Sequence, residues 1–154
     1  MSVAFRRESD EEHMEPKFEI PLPAGPNMVT ARGLALIEAK VVKLETAIAA
    51  EPEDAPRDVL KRELRYWKTR RSTARVAAAP EGVVGIGSRV RIRMGGKERV
   101  LDIVGHDEAD PAADRLAFAA PLAKALIGAE EGERVDFNGK PEAIEILGVE
   151  AIPA

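Results

Sequence analysis

The side chains best equipped for chemistry in this chain are charged, and they gather between residues 51 and 75. The stretch from Glu51 to Pro56 sets three carboxylates, Glu51, Glu53 and Asp54, in a turn with two prolines, and Asp58 follows. Such oxygen donors suit a hard cation by type, although solvation alone also makes exposed turns acidic and proline-rich. The same stretch holds eight cationic residues, Arg57, Lys61, Arg62, Arg65, Lys68, Arg70, Arg71 and Arg75, between Arg57 and Arg75. Only Asp58 and Glu63 oppose them there, a local balance of +6 in a chain of net charge −4. A positive face of this kind is either simply solvated or set against phosphates or an acidic protein wall. Cysteine is absent, which excludes disulfides, thiolate chemistry and a cysteine zinc site. The two histidines, His13 and His106, stand alone and are assigned no role.

The elements that must position these charges are helices. Thr30 can cap a helix starting at Ala31, because its hydroxyl can accept an orphan backbone N–H. Leu34, Ile37, Val41, Leu44 and Ile48 then recur at steps of 3, 4, 3 and 4, the seam of a coiled coil. Pro52 disfavours helix at Glu51, so the helix should stop near Ala50. A second helical pattern runs from about Arg57 with Leu60, Leu64, Trp67 and Ala74 on one side and Arg71 in the seam between the last two. Two such helices joined by a short turn predict an antiparallel hairpin over residues 28–80.

Proline, glycine and a change of period fall together near residues 79–84 and mark a boundary. Beyond it Val90 and Ile92 alternate with Arg89, Arg91 and Arg93, as in a half-buried strand, and Gly95 with Gly96 suits a tight hairpin. "RLAFA", "ERVDF" and "EAIEILGVEAI" read as further strands, and "PLAKALIG" as a short helix opened by Pro121 and closed by Gly128. The unit 81–154 is therefore expected to be an antiparallel sheet with one short helix, which makes the chain α+β. Residues 1–27, acidic and proline-rich, read as a mostly disordered tail in which "FEIPLP" can dock locally. No apolar run is long enough to span a bilayer, and the N-terminus lacks a signal-peptide pattern, so a cytoplasmic monomer is the expectation.

From Val84 onward the chain resembles the GreA/GreB transcript-cleavage factors and their relatives. "VGIGSRVRIR" is similar to the family's entry strand, and "IVGHDEADPAADRLAFAAPLAKALIGAEEGERVDF" carries its successive blocks in order. "VTARGLALIEAK" resembles, more weakly, the start of the family's coiled coil. The resemblance implies a coiled-coil hairpin that enters the secondary channel of RNA polymerase. It also implies an FKBP-like domain docking at the channel mouth, centred here on Asp107, Glu108 and Asp110 and on Pro121, Leu122, Lys124 and Leu126. In active members the tip carboxylates hold a second Mg²⁺ in the polymerase active centre. The corresponding residues here would be Glu51, Glu53, Asp54 and Asp58, with no metal bound stably by the protein alone.

The family's tip block is replaced here by "EPEDAPRDVLKRELRYW". A helix of residues 31–50 would span roughly 30 Å at about 1.5 Å per residue, whereas the resemblance implies longer arms in cleavage factors. That favours a Rnk-like member that binds polymerase as a non-cleaving modulator or competitor over a stimulator of the polymerase's own RNA cleavage; in either case it is not expected to be an enzyme itself. It would meet nascent RNA or DNA only within the elongation complex, through the basic face of Arg57, Lys61, Arg62, Arg65 and Lys68. The polar residue and serine that the family commonly places before the proline are Ala119 and Ala120 here. Two other readings remain. One is a peptidyl-prolyl isomerase, for which Phe118 and Phe137 are few aromatics; the other is a nucleic-acid-binding hairpin acting alone, with little aromatic support for stacking.

Overall fold

The structure, a computed structural model, describes residues 19–153. Residues 1–18 of the expected tail, His13 among them, lie outside the described residues. The chain forms two compact units. One comprises Glu38–Ser72 with the described residues before Gly25, and the other comprises Gly25–Ile37 and the chain from Thr73 onward.

The helices follow the apolar spacing. Helix α1, Ala31–Ala50, begins at the predicted cap: the Gly33 N–H donates to the Thr30 hydroxyl oxygen at 2.9 Å and the Leu34 N–H to the Thr30 carbonyl at 3.0 Å. Ile37 and Val41 are fully buried and Leu44 nearly so, which is the seam the 3–4 spacing requires. Helix α2, Asp54–Thr73, starts three residues before the expected Arg57, leaving only Glu51–Glu53 as the turn. Pro56 falls in its first turn, where the N–H has no helical partner, so the ring breaks nothing. Leu60, Leu64 and Trp67 are half-buried as expected. Arg71 corrects the seam assignment. It is exposed, and Arg70 is buried instead, with its guanidinium 6.0 Å from the Tyr66 ring centroid. A step of three from Trp67 suits a long planar cation that can lie against an aromatic face.

The other unit is built on a five-stranded sheet. Its strands are β3 (Ser88–Met94), β4 (Lys97–Val104), β5 (Arg115–Ala117), β6 (Arg134–Phe137) and β7 (Lys140–Ala151), in the order β5-β4-β3-β7-β6. Gly95 and Gly96, with φ of 60° and 77°, make the tight β3–β4 turn the sequence predicts. The sheet is mixed, not wholly antiparallel as expected, because β5 pairs with β4 in parallel. The segment between them makes two 3-10 turns, His106–Glu108 and Pro111–Ala113, and re-enters the sheet through the left-handed Asp114 (φ 58°), travelling in the direction of β4. A short segment so rich in acidic residues, alanine and proline gives no periodic sign of that direction.

Side-chain alternation sorts the two faces of β3. Val90 and Ile92 are fully buried with Leu101, Ile103, Ile144 and Ile146, and helix α3 (Pro121–Leu126) adds Ala123 and Leu126 to the same core. Burying each of the larger of these side chains contributes about 1.5–3 kcal/mol. On the opposite face Arg89 forks onto Asp102 at 2.8 and 3.1 Å, and Arg93 bridges Glu98 and Glu145.

The segment before α1 also belongs to this unit. Strand β1 (Met28–Val29) pairs in parallel with β2 (Arg75–Val76), with Arg75 N–H donating to the Asn27 carbonyl and Ala77 N–H to that of Val29. Asn27 is buried and its amide donates to Thr73 Oγ1 at 3.1 Å. Strand structure thus starts at Arg75, ahead of the expected change near 79–84, and residues 19–27 of the expected tail make specific contacts. Glu108 closes the arrangement. Its buried carboxylate accepts from the Thr30 hydroxyl and, at 3.2 Å, from Arg32. The approach requires glycine on both sides: a Cβ at Gly33 would lie 2.9 Å from the Glu108 carboxylate, and one at Gly105 would collide with the Met28 carbonyl.

Replacing Glu108 with alanine strands the Thr30 hydroxyl beside a void and should lower stability by about 1–3 kcal/mol, measured by urea unfolding. The same change at exposed Glu131 should leave the midpoint unmoved.

Candidate functional site

Three surfaces carry the residues that the sequence singles out. The first is the hairpin tip. Helix α2 begins with Glu53 accepting the Arg57 N–H at 3.2 Å, and Glu53 N–H is itself met by the Glu51 carboxylate at 3.1 Å. Arg57 reaches back over this turn. Its Nε and Nη2 donate to the Glu51 carbonyl at 3.1 and 2.7 Å, and its Nη1 donates to Asp54 Oδ1 at 3.2 Å. One guanidinium therefore satisfies the open carbonyl at the start of the turn and neutralises a tip carboxylate. Asp54 is otherwise exposed, as are Glu53 and Asp58.

The tip residues do not fit a self-standing Mg²⁺ site. Among the described residues no three His, Cys, Asp or Glu side chains converge as metal ligands. The Glu51 carboxylate is spent on a backbone N–H, and a fixed positive charge occupies the place beside Asp54. A dication there would meet that charge at close range.

The second surface is the basic side of α2, and most of its charges have internal partners. Arg57 serves the tip. Lys68 stands 3.9 Å from Glu45, and Arg70 is buried. Arg65 forks onto Glu19, with Nε to Oε1 at 2.9 Å and Nη2 to Oε2 at 2.6 Å. Lys61 is exposed and Arg62 half-buried. Glu19 is the residue sequence reasoning missed as a partner of this face, although "FEIPLP" had marked its neighbourhood as able to dock. Ile20 and Leu22 flank Tyr66 and Thr69 beside it.

The third surface lies along β5. The 3-10 turns that carry Asp107 and lie beside Asp110 precede this strand, and α3, which carries Pro121, Leu122 and Lys124, follows it and touches both β5 and the opposite edge strand β6. Asp110, Pro121 and Lys124 are exposed, and Asp107 and Leu122 half-buried. Two expected docking residues are not offered to a partner. Leu126 is fully buried in the core, at the helical spacing that turns it inward, and Glu108 is spent on Thr30 and Arg32. Ala120 caps α3 with no side-chain hydrogen bond, as the missing serine requires. Phe118 and Phe137 both pack against the core. No helix of the described residues is long and apolar enough to cross a membrane.

Residues 79–151 match the family model described as "Transcription elongation factor, GreA/GreB, C-term". The chain is 40% identical over 92 residues to transcription elongation factor GreB of Neisseria meningitidis serogroup A, covering 54% of this chain and 56% of that protein. It is 44% identical over 55 residues to GreA of Rhizobium etli, covering 34% and 35%. The chain thus spans about half, or less, of the length of the curated relatives it matches. The solved GreA/GreB structure from Nitrosomonas europaea aligns with 22% identity over 82% of this chain and 98% of that one, at a TM-score of 0.39.

The contact on Arg65 is titratable. The hydrogen bonds from Arg65, and its charge, hold the Glu19 carboxyl below its ordinary value. A carboxyl lowered by a folded-state partner keeps that partner above its free value and releases it as pH falls through the lowered one. A carboxyl-carbon NMR titration should therefore place the Glu19 midpoint below the ordinary glutamate value, and Arg65→Gln should return it to the ordinary range.

Proposed function

Because this chain belongs, through residues 79–151, to the GreA/GreB family, we propose that it is a regulator of transcription elongation that docks on RNA polymerase and does not stimulate transcript cleavage. Docking falls to the segments on either side of β5, where Asp107, Asp110 and Lys124 supply charge of both signs and Pro121 and Leu122 supply apolar surface. The helical hairpin then occupies the secondary channel, with the basic side of α2 toward the phosphates of nascent RNA. Exposed cations near a polyanion gain by releasing its condensed counterions, which suits Lys61, Arg62, Arg65 and Lys68 to that role.

The observation that carries the non-cleaving half of this reading is Arg57. In a factor that lends a metal to the polymerase, the tip must offer carboxylates with room for a dication. Here a guanidinium lies on the Glu51 carbonyl and against Asp54. Helix length argues the same way, since 20 residues reach only about 30 Å. Neither the arrangement of the tip around Arg57 nor its reach provides what metal-assisted hydrolysis needs.

A transcript-cleavage assay on stalled elongation complexes, with polymerase from the same source, tests this directly. RNA shortening should proceed at the rate of polymerase alone at every concentration of the protein. Vigorous cleavage that disappears on changing Glu53→Gln or Asp54→Asn would refute the proposal.

A further inference from the structure

We propose that residues Glu19 to Pro23 form a releasable strap over the basic side of α2, with Glu19 holding the place that a phosphate of a single-stranded nucleic acid takes when the face is engaged. The proposal rests on the reading of that face given above and adds its regulation.

The geometry of the contact is that of an anion site already filled. Glu19 presents both carboxylate oxygens to Nε and Nη2 of Arg65, the planar two-point arrangement by which arginine also receives a phosphate. Arg62 adds a further attraction on the same carboxylate. Ile20 and Leu22, with Arg65, Tyr66, Lys68 and Thr69, line one groove beside this contact. Pro21 and Pro23 alternate with them and limit the freedom of the segment, so little entropy is lost in laying it down.

The contact is also cheap to break. Side-chain exposure is 56% for Arg65 and 48% for Glu19, and Ile20 and Leu22 remain 38% and 52% exposed. An exposed ion pair of this kind contributes little, and two half-covered apolar side chains do not anchor a permanent element. A structural brace would bury Ile20 and Leu22. A competitor for an anion site needs what is seen here: a carboxylate matched to the guanidinium, on a segment that can leave. Nucleic acid offers several phosphates to Lys61, Arg62, Arg65 and Lys68 together, where the strap offers one carboxylate to Arg65.

The test is binding of a short fluorescent oligouridylate to the full-length chain at low salt, read by anisotropy. Arg65→Gln should weaken it, which establishes that the face binds the probe. Glu19→Gln should tighten it about two- to fivefold, the range an exposed ion pair supplies, and Ile20→Ser with Leu22→Ser should tighten it in the same direction. Saturating probe should move the Ile20 and Leu22 methyl resonances of the unaltered chain toward their positions in free peptide. If Arg65→Gln leaves binding unchanged, the reading of the basic face fails and the strap with it. If Arg65→Gln weakens binding but neither Glu19→Gln nor the double serine variant tightens it, the strap alone is overturned. Unmoved methyl resonances at saturation would also overturn it.

Discussion

A carboxylate that folding removes from water must be met by donors, and at Glu108 the donors come from the start of α1. Thr30 does two things at once there. Its oxygen accepts the Gly33 N–H as a helix cap, and its hydroxyl proton goes to Glu108. The first turn of the helix is thereby part of the sheet-bearing unit, along with the short β1–β2 pair. Much of the local sequence follows from this one buried charge. Gly33 and Gly105 leave space for the approach, Arg32 supplies the balancing cation, and the 3-10 turn places Glu108 where both can reach it.

The same requirement, that charge be answered, governs the hairpin. Its acidic tip is met by Arg57, its basic side by Glu19 and Glu45, and the buried Arg70 lies near an aromatic ring. The functional meaning differs with burial. A partner held at 3% side-chain exposure, as Glu108 is, belongs to the fold, while one held at about half exposure, as Glu19 is, can be exchanged for another anion. That difference separates residues that build the sheet-bearing unit from residues exposed enough to exchange one partner for another. It also explains how one motif, the acidic run from Asp107 to Asp110, contains both kinds.

Local pattern made much of this structure legible. The 3–4 spacing of Leu34 to Ile48 and the hydroxyl of Thr30 define α1, and the β3 alternation identifies which residues face the core. Paired glycines mark the hairpin turn, and the ordered blocks after Val84 point to the family later matched over 79–151. What local pattern missed depends on partners far along the chain. The β1–β2 pair joins residues 47 positions apart and is only two residues long, too short for any period. The parallel entry of β5 turns on backbone angles at Asp114, not on hydropathy. Glu108 reads as a surface acid because its neighbours in sequence are acids, and only its distant donors make it structural. At the tip, the four carboxylates were visible as a cluster, but Arg57 was counted with the basic face when its guanidinium turns back onto the turn.

If the proposed docking on RNA polymerase uses the surface that GreB-type factors use, the two proteins must exclude each other. Equilibrium competition measures that most directly. The chain, labelled on the exposed face of the sheet-bearing unit, is bound to polymerase from its own source and titrated with a GreB-type factor while its anisotropy is followed. The account predicts complete displacement, with the reverse titration giving the same relative affinity. Failure of the chain to bind, or formation of a complex holding both proteins at once, would contradict it.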